Sequence, residues 1–353
     1  MGSLVKRTFG WGVAALCALG AAGAVFEKRA EAREVDVAPP GQLVDVGGHT
    51  LHIHCSGQGN GPTVVLDAGL AGFSTDWALV QPEVATFARV CSYDRAGYGW
   101  SEPVAGERTS DIIAGELHEL LHRAGAPAPY LLVGHSFGGY NVRVFADRYP
   151  DEVAGLVLVD VSHEAFPETL PPAMRRRYER FDALERPALV LCEALARIGL
   201  VRLALTRDWL SLLDMYDSLP PEARAATVRL HSTPHFFHTS YQEILGFDAS
   251  GRQAKRARSL GDRPVAVLTA AGKENMGEAP LAQIGVDTEF LETLVGVRST
   301  LHAQLAQVLS TNSRHIVTTH SGHLVQISEP HLVVEAIKWA LEQARAPLLA
   351  HAS

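Results

Sequence analysis

The chain has 353 residues, of which 47% are hydrophobic and 20% are charged. This is the composition of an ordinary globular protein, and the length is more than one plain domain needs and less than two large ones need. With 31 basic and 39 acidic residues, the formal net charge is −8. That balance excludes the basic surface expected of a nucleic-acid-binding protein.

The first segment of the chain has the pattern of an export or insertion signal. Lys6 and Arg7 precede an uncharged run over residues 8–26, and residues 27–29 are charged. Small residues at 22–24 would allow cleavage as a signal peptide, and the length of the run would allow an uncleaved membrane anchor. A soluble extension is a third possibility. Either of the first two interpretations places the protein outside the cytoplasm.

Short apolar runs alternate with helical patterns over most of the remaining chain. After a hairpin signal at Gly47-Gly48, strand-like runs occupy residues 62–69, 88–97, 129–136, 153–160, 263–272 and 313–320. Helical patterns occupy residues 109–124, 137–150, about 290–310 and about 329–345. Strands that alternate with helices predict a mostly parallel sheet with helices on both faces.

The alternation stops between residues 161 and 262, which hold helical patterns but no buried strand pattern. We therefore predict one α/β core formed by residues 35–160 and 263–353, with a helical insert at 161–262. Residues 1–34 form the N-terminal segment and the beginning of a charged, proline-containing linker that extends to about residue 41.

A Gly-x-Ser-x-Gly motif, with Ser136 between Gly134 and Gly138, follows a predicted strand and begins a predicted helix. In that context the chain makes a sharp turn that exposes the serine hydroxyl, and the glycines avoid clashes across the turn. The helix N-terminus adds a positive dipole end near developing negative charge. We predict that Ser136 is a nucleophile.

A serine hydroxyl needs a general base, and in folds with this turn the chain order is serine, acid, histidine. Of the 16 histidines, His323 fits best, because it follows Gly322 just after the last predicted strand. His320 ends that strand and His331 lies in the final helix, where structural roles explain both.

The carboxylate that should orient the imidazole is less clearly marked. Its usual place is the loop after residues 263–272, but Asn275 stands where an aspartate is common. Asp160 ends the preceding strand at the same sheet edge as the nucleophile. We favour Asp160 and keep Glu274 and Glu278 as alternatives.

An oxyanion hole needs two backbone N–H groups directed at one point. The residue after the nucleophile, Phe137, supplies one of them, and the loop after residues 62–69 supplies the other. Leu70 is our choice in that loop, with Ala71 and Gly72 as alternatives.

Two further patterns are not assigned to catalysis. Residues 94–101 (DRAGYGWS) do not have the spacing of a dinucleotide-binding loop, and we expect a structural turn beneath the site. His231, His235 and His238 include a spacing that zinc ligands use, but no carboxylate motif accompanies them. We predict no metal and no cofactor.

With these motifs, the chain resembles the bacterial α/β-hydrolase fold-1 family. The matching stretches lie in residues 42–160 and 263–340, and the serine turn and residues 94–101 are the most specific of them. The resemblance implies an eight-stranded sheet, a helical cap after the sixth strand, and esterase-like activity without a cofactor. Ala68-Gly69 stands where the family usually has His-Gly.

The strand order of that family places Cys55 beside Cys91 on neighbouring strands. An oxidising compartment would permit a disulfide there, and two buried free thiols are the alternative. The N-terminal segment itself predicts a bacterial periplasmic or cell-envelope protein, with membrane anchoring through residues 8–26 as one possibility.

A serine nucleophile predicts an acyl-enzyme, and hence an ester, thioester or amide substrate. We expect hydrolysis of a small carboxylic ester with an apolar acyl or alcohol group, because the insert contains residues such as Phe236 and Phe237. One alternative is a proline-releasing aminopeptidase, which needs an acidic pocket built from residues such as Glu164, Glu168 or Glu243. Another is a ligand-binding protein without turnover.

Overall fold

The computed structural model describes residues 20–30, 32, 39–59, 61–207, 211–272 and 287–350. In these residues, eight strands form one sheet in the order β1-β2-β4-β3-β5-β6-β7-β8. Their bounds are β1 Gln42–Asp45, β2 Thr50–Ser56, β3 Thr63–Asp67, β4 Val90–Tyr93, β5 Tyr130–His135, β6 Val153–Val159, β7 Val265–Thr269 and β8 Ser313–Val317. The β1–β2 and β2–β4 pairs are antiparallel, and all other pairs are parallel.

Helices cover both faces of this sheet. Their bounds are α1 20–30, α2 Gln81–Val84, α3 Ser110–Arg123, α4 Gly138–Arg148, α5 Phe166–Thr169, α6 Pro172–Arg197, α7 Leu200–Thr206, α8 Pro221–His231, α9 Pro234–Lys255, α10 Thr288–Leu309, α11 Val325–Ser328 and α12 Pro330–Ala350. Short 3₁₀ helices occupy Ser74–Trp77, Pro150–Glu152 and Ser211–Tyr216. The predicted fold class is confirmed.

The central strands explain why the sequence adopts a parallel sheet. Every residue of β3, β4, β5 and β7 is buried, as continuous apolar runs covered on both faces require. One core cluster packs α3, α4 and α10 against one face, and a second packs α12 against the other. The carboxyl ends of β3, β5, β6 and β7 therefore meet at one edge of the sheet.

An antiparallel hairpin, β1–β2, forms one edge of the sheet, and a disulfide joins β2 to its neighbour β4. The Asp45 carboxylate accepts hydrogen bonds from the Gly47 and Gly48 N–H groups, which supports the tight turn between β1 and β2. Cys55 on β2 and Cys91 on β4 are paired in register and form a disulfide.

All described elements between β6 and β7 are helical, and they lie within the predicted insert. We call residues 161–262 the cap. Helix α9 lies against α3, α4 and α6, so it connects the cap to the core. Gly246 on α9 permits a close approach, because a Cβ atom there would lie 2.5 Å from the Arg108 carbonyl oxygen.

Helix α1 packs on the cap. A side chain at Gly23 would collide with the Ile198 backbone, and the buried Glu27 carboxylate pairs with Arg202 on α7 at 2.7 Å. The helix thus extends through residues 27–30, which the sequence analysis assigned to a linker; the Glu27–Arg202 pair holds them in place. Among the described residues, no helix is both long and apolar enough to cross a membrane.

We expect reduction of the Cys55–Cys91 disulfide to lower the free energy of unfolding by about 2–4 kcal/mol, because the bond closes a long loop in the unfolded chain. Urea denaturation of Cys55→Ala/Cys91→Ala beside the wild type measures this. Cys192→Ser is the control, because Cys192 is a free, half-buried thiol. A double variant as stable as the control contradicts the prediction.

Candidate active site

Ser136 lies at the turn between β5 and α4, at the carboxyl edge of the sheet. Its φ is +50°, a left-handed conformation that costs free energy for a residue with a Cβ atom. Glycine is required on both sides. A Cβ atom at Gly134 would lie 2.6 Å from the Gly138 carbonyl oxygen, and one at Gly138 would lie 2.6 Å from the Asp67 carbonyl oxygen. These close approaches hold the turn in the shape that exposes the hydroxyl.

The three residues predicted for catalysis form one hydrogen-bonded line. His323 Nε2 lies 2.9 Å from Ser136 Oγ, and His323 Nδ1 lies 2.6 Å from Asp160 Oδ2. Asp160 follows β6, and His323 lies in the loop between β8 and α11. The alternative acids Glu274 and Glu278 lie outside the described residues. The line has the distances that a serine–base–acid relay needs.

Asp160 is buried and kept charged by its partners. Burial alone would raise the pKa of this carboxyl, but the Arg298 guanidinium and the His323 hydrogen bond outweigh burial and hold the pKa well below its usual range. Arg298 on α10 donates to Asp160 Oδ2 at 2.6 Å, and the Ala270 N–H donates to Oδ1 at 3.0 Å. Asp160 is therefore a fixed, ionised acceptor for the imidazole.

Two backbone N–H groups next to Ser136 remain available for an oxyanion. Of the candidates in the loop after β3, the Ala71 N–H donates to the Tyr98 hydroxyl and the Gly72 N–H donates to the Gly69 carbonyl. Leu70 and Phe137 donate to no acceptor in the described part of the chain. The loop is close to the nucleophile, because a Cβ atom at Gly69 would lie 3.1 Å from Ser136 Cβ.

The loop that carries Leu70 is held by a buried arginine from the DRAGYGWS segment. The Arg95 guanidinium donates to the Ala68 carbonyl at 2.7 Å, the Gly69 carbonyl at 2.7 Å and the Asp67 carboxylate at 2.9 Å. It also pairs with Glu243 on α9 at 2.7 Å. The predicted structural turn therefore fixes the loop and connects it to the cap.

His135, beside the nucleophile, holds the loop of the general base. Its Nε2 lies 2.9 Å from the His323 carbonyl oxygen, and since a carbonyl only accepts, the proton is on Nε2. Burial, followed by the nearby His323, lowers the pKa of His135 to about 3. A neutral ring at this position adds no positive charge beside the imidazole of His323.

Ser136 and His323 open into a cavity of about 930 Å³ between the core and the cap. Its walls are mostly apolar and include Leu195 and Leu205 from the cap and Leu294 from α10. A cavity of this size and polarity fits a small molecule with a substantial apolar part.

Among the described residues, His231, His235 and His238 of the cap do not come together as a set of metal ligands. His231 is partly buried against Phe73 and its Nδ1 donates to the Thr227 carbonyl, while His238 faces Glu193.

Among the described residues, one set has metal-ligand geometry: His118, His122 and Glu152, whose ligand atoms lie within 4.8 Å of one another. His118 and His122 each hydrogen-bond to the Glu152 carboxylate, and none of the three residues lines the cavity.

Sequence patterns did not reveal Arg298, His135 or the ion pair between Arg95 and Glu243. Arg298 belongs to an amphipathic helix in which any polar residue looks like a solvent contact. Arg95 and Glu243 are 148 positions apart, so no local spacing connects them. The DRAGYGWS pattern, which predicted a structural turn beneath the site, is the sequence signal that pointed to the region of Arg95.

The family profile described as alpha/beta hydrolase fold matches residues 62–330. The chain belongs to this family. The protein is therefore a hydrolase of the α/β-hydrolase superfamily. Ser136, Asp160 and His323 follow one another in the chain order serine, acid, histidine that is typical of this fold.

Relatives with curated names share short segments. A Klebsiella pneumoniae 2-hydroxy-6-oxononadienedioate/2-hydroxy-6-oxononatrienedioate hydrolase is 36% identical over 123 residues, which cover 33% of this chain and 42% of that protein. The alignments span less than half of the curated relatives' own lengths.

Solved structures share the whole fold. Cfl2 from Burkholderia cenocepacia is 21% identical, with a TM-score of 0.61, over 85% of this chain and 95% of that one. An enol-lactonase from Burkholderia xenovorans LB400 is 17% identical, with a TM-score of 0.56, over 85% of this chain and 100% of that one. At these identities the likeness extends to the fold alone.

We expect acid to destabilise the protein through buried neutral histidines. Burial lowers the pKa of His231 to about 4 and that of His302 to about 4, whereas both titrate near 6.5 when unfolded. Between pH 6.5 and 4 the unfolded chain binds protons that the folded chain does not. Stability is therefore complete above pH 6.5 and falls as the pH drops toward 4, by on the order of 3 kcal/mol for each histidine.

Urea titrations at stepped pH measure this slope. His302→Gln should reduce it by about one proton, whereas His331→Gln, an exposed residue on α12, should leave it unchanged. Equal slopes for both variants would show that His302 titrates alike in the folded and unfolded states.

Proposed function

We propose that this protein hydrolyses carboxylic esters through an acyl-enzyme on Ser136. The observation that carries the proposal is the line from Ser136 Oγ to His323 Nε2 at 2.9 Å and from His323 Nδ1 to Asp160 at 2.6 Å, beside two unengaged N–H groups. A hydroxyl nucleophile attacks acyl carbon, which an ester presents with a good leaving group.

In the proposed reaction, His323 Nε2 accepts the hydroxyl proton while Ser136 Oγ bonds to the carbonyl carbon. The Leu70 and Phe137 N–H groups stabilise the oxyanion. Asp160 stabilises the positive charge of the His323 imidazolium, which then returns its proton to the leaving alcohol. Water then attacks the acyl-enzyme with His323 again as the base, which releases the acid and restores the serine.

The three carboxylates considered for an aminopeptidase do not lie at the cavity, although Glu292 on α10 lines it. Glu243 is buried and paired with Arg95, and Glu164 is paired with Arg143 at 3.0 Å. Neither of them lines the cavity, nor does the exposed Glu168. An aminopeptidase needs a free negative charge in its substrate pocket, and these three residues supply none.

The proposal predicts that single substitutions at Ser136 or Asp160 cause large losses of activity. We expect Ser136→Ala to abolish measurable hydrolysis of p-nitrophenyl acetate and octanoate, because it removes the nucleophile. Asp160→Asn should lower kcat by on the order of 10³–10⁴-fold, since a neutral amide neither orients nor stabilises the imidazolium. Initial rates of purified, folded variants measure both effects.

Two matched variants control this experiment. Asp147→Asn changes a surface carboxylate that pairs with Arg258, and Glu274→Gln changes the alternative acid. Both should retain wild-type kcat. A crippled Glu274→Gln beside an active Asp160→Asn would transfer the acid to the later loop. A wild type that releases p-nitroaniline from an alanyl or prolyl substrate, and no acid from esters, would favour the aminopeptidase instead.

A further inference from the structure

Asp76 is a buried carboxyl group that the proposed reaction does not use. It lies in the 3₁₀ helix Ser74–Trp77, just after the loop that carries Leu70, and is 2% exposed. It lines the same cavity as Ser136, and its Oδ1 atom has no hydrogen-bond partner among the described residues. A buried polar atom without a partner is costly, so such an atom at a cavity wall requires a physical explanation.

The surroundings of Asp76 favour a neutral carboxylic acid. Burial raises the pKa of Asp76 to about 8, although the Arg95 charge and the Phe73 N–H oppose that change; the nearby Asp94 raises it further. From the cap, Tyr216 approaches the carboxyl, and burial keeps the pKa of that phenol well above its usual range. At neutral pH the acid therefore carries a proton that it can donate.

We propose that Asp76 donates a hydrogen bond to an oxygen atom of the substrate, so that the preferred substrates are largely apolar esters with one further carbonyl or ether oxygen. This inference rests on the proposed ester hydrolysis and names its substrate class. A single donor in an apolar cavity gives strong selectivity, because a substrate without the acceptor leaves the buried donor unpaired.

The position of Asp76 fixes which part of the substrate it meets. The turn from Gly69 to Gly72 lies between the two groups: Gly69 is against Ser136, and a side chain at Gly72 would collide with Asp76 Oδ2. Leu70 is inside that turn. The acceptor oxygen therefore lies a few bonds from the scissile carbonyl, on the side of the oxyanion loop.

A purely structural explanation exists and is testable. An acidic residue in the first turn of a helix interacts favourably with the free N–H groups there, and Asp76 occupies that place in its 3₁₀ helix. That role requires a negatively charged Asp76, and its loss would lower the free energy of unfolding. It predicts no preference among substrates.

The test compares p-nitrophenyl octanoate with ether analogues in which one chain methylene at a time, beyond the carbon next to the carbonyl, is replaced by oxygen. Each rate is divided by the analogue's spontaneous hydrolysis rate. We expect the wild type to prefer at least one analogue by about tenfold in kcat/KM, the equivalent of one hydrogen bond.

Two variants assign that preference to the carboxyl group. Asp76→Leu keeps the branched shape of the side chain and has no donor, so its kcat/KM for the preferred analogue should fall to that for the octanoate. Asp76→Asn keeps a donor and should keep the preference. In the wild type the preference should fall as the pH rises through about 8, and in Asp76→Asn it should not. Taking the ratio of two substrates cancels every pH effect that acts equally on both of them.

The inference is overturned if no analogue is preferred by the wild type, or if the preference survives in Asp76→Leu. Calorimetric binding of the same esters to Ser136→Ala separates this inference from the proposed function. Preferential binding of an ether analogue by Ser136→Ala, with no ester hydrolysed by the wild type, would retain the Asp76 contact and refute the ester activity. Hydrolysis without any preference would do the opposite.

Discussion

The buried guanidinium of Arg95 is the interaction on which the arrangement of this protein depends. Its donors reach the carboxylate at the end of β3, two carbonyls of the oxyanion loop, and Glu243 on the cap helix α9. Removing one partner would leave an uncompensated charge in the interior, which is far more costly than losing a surface ion pair. The position of the Leu70 N–H and the seating of the cap are therefore coupled through one side chain.

Backbone strain is concentrated at the same edge of the sheet. In the described residues, the non-glycine residues with positive φ are Ala71, Ser136 and Asp160. Each follows a strand whose hydrogen bonds fix the chain up to the turn, so rigid β-structure over-determines the unfavourable conformation. The strain places a hydroxyl, a carboxylate and an oxyanion loop around one point, and the helix α10 residue Arg298 then holds the carboxylate charged.

The polarity of the interior divides the titratable groups into two kinds. Asp160 remains ionised, because Arg298 and His323 compensate its burial. Asp76, His135 and His231 lack sufficient compensation. Burial raises the pKa of Asp76 and lowers the pKa of both histidines, so it favours the neutral form of each group. The wall of the cavity beside Ser136 is mostly apolar, although it includes Arg298, Glu292 and the buried Asp76. That environment suits an apolar acyl or alcohol group.

Local sequence was sufficient to predict Ser136 as a nucleophile, His323 as a base and the strand–helix alternation. A Gly-x-Ser-x-Gly turn between an apolar run and a helix has few other physical explanations, and the bounds of α3, α4 and α10 follow from periodicity and from Gly and Pro positions. The choice between Asp160 and Glu274 stayed open at that level. A strand-end aspartate looks the same whether it caps a turn or faces an imidazole.

Only the tertiary structure decided the contacts between distant residues: Arg95 with Glu243, Arg298 with Asp160, Cys55 with Cys91, and the packing of α1 on the cap. It also shows that the Ala71 and Gly72 N–H groups donate to Tyr98 and Gly69, whereas the Leu70 N–H has no acceptor among the described residues. The physical reason is common to all of these. Periodicity and turn chemistry are properties of consecutive residues, whereas burial, charge pairing and hydrogen-bond satisfaction depend on which segments the sheet order brings together.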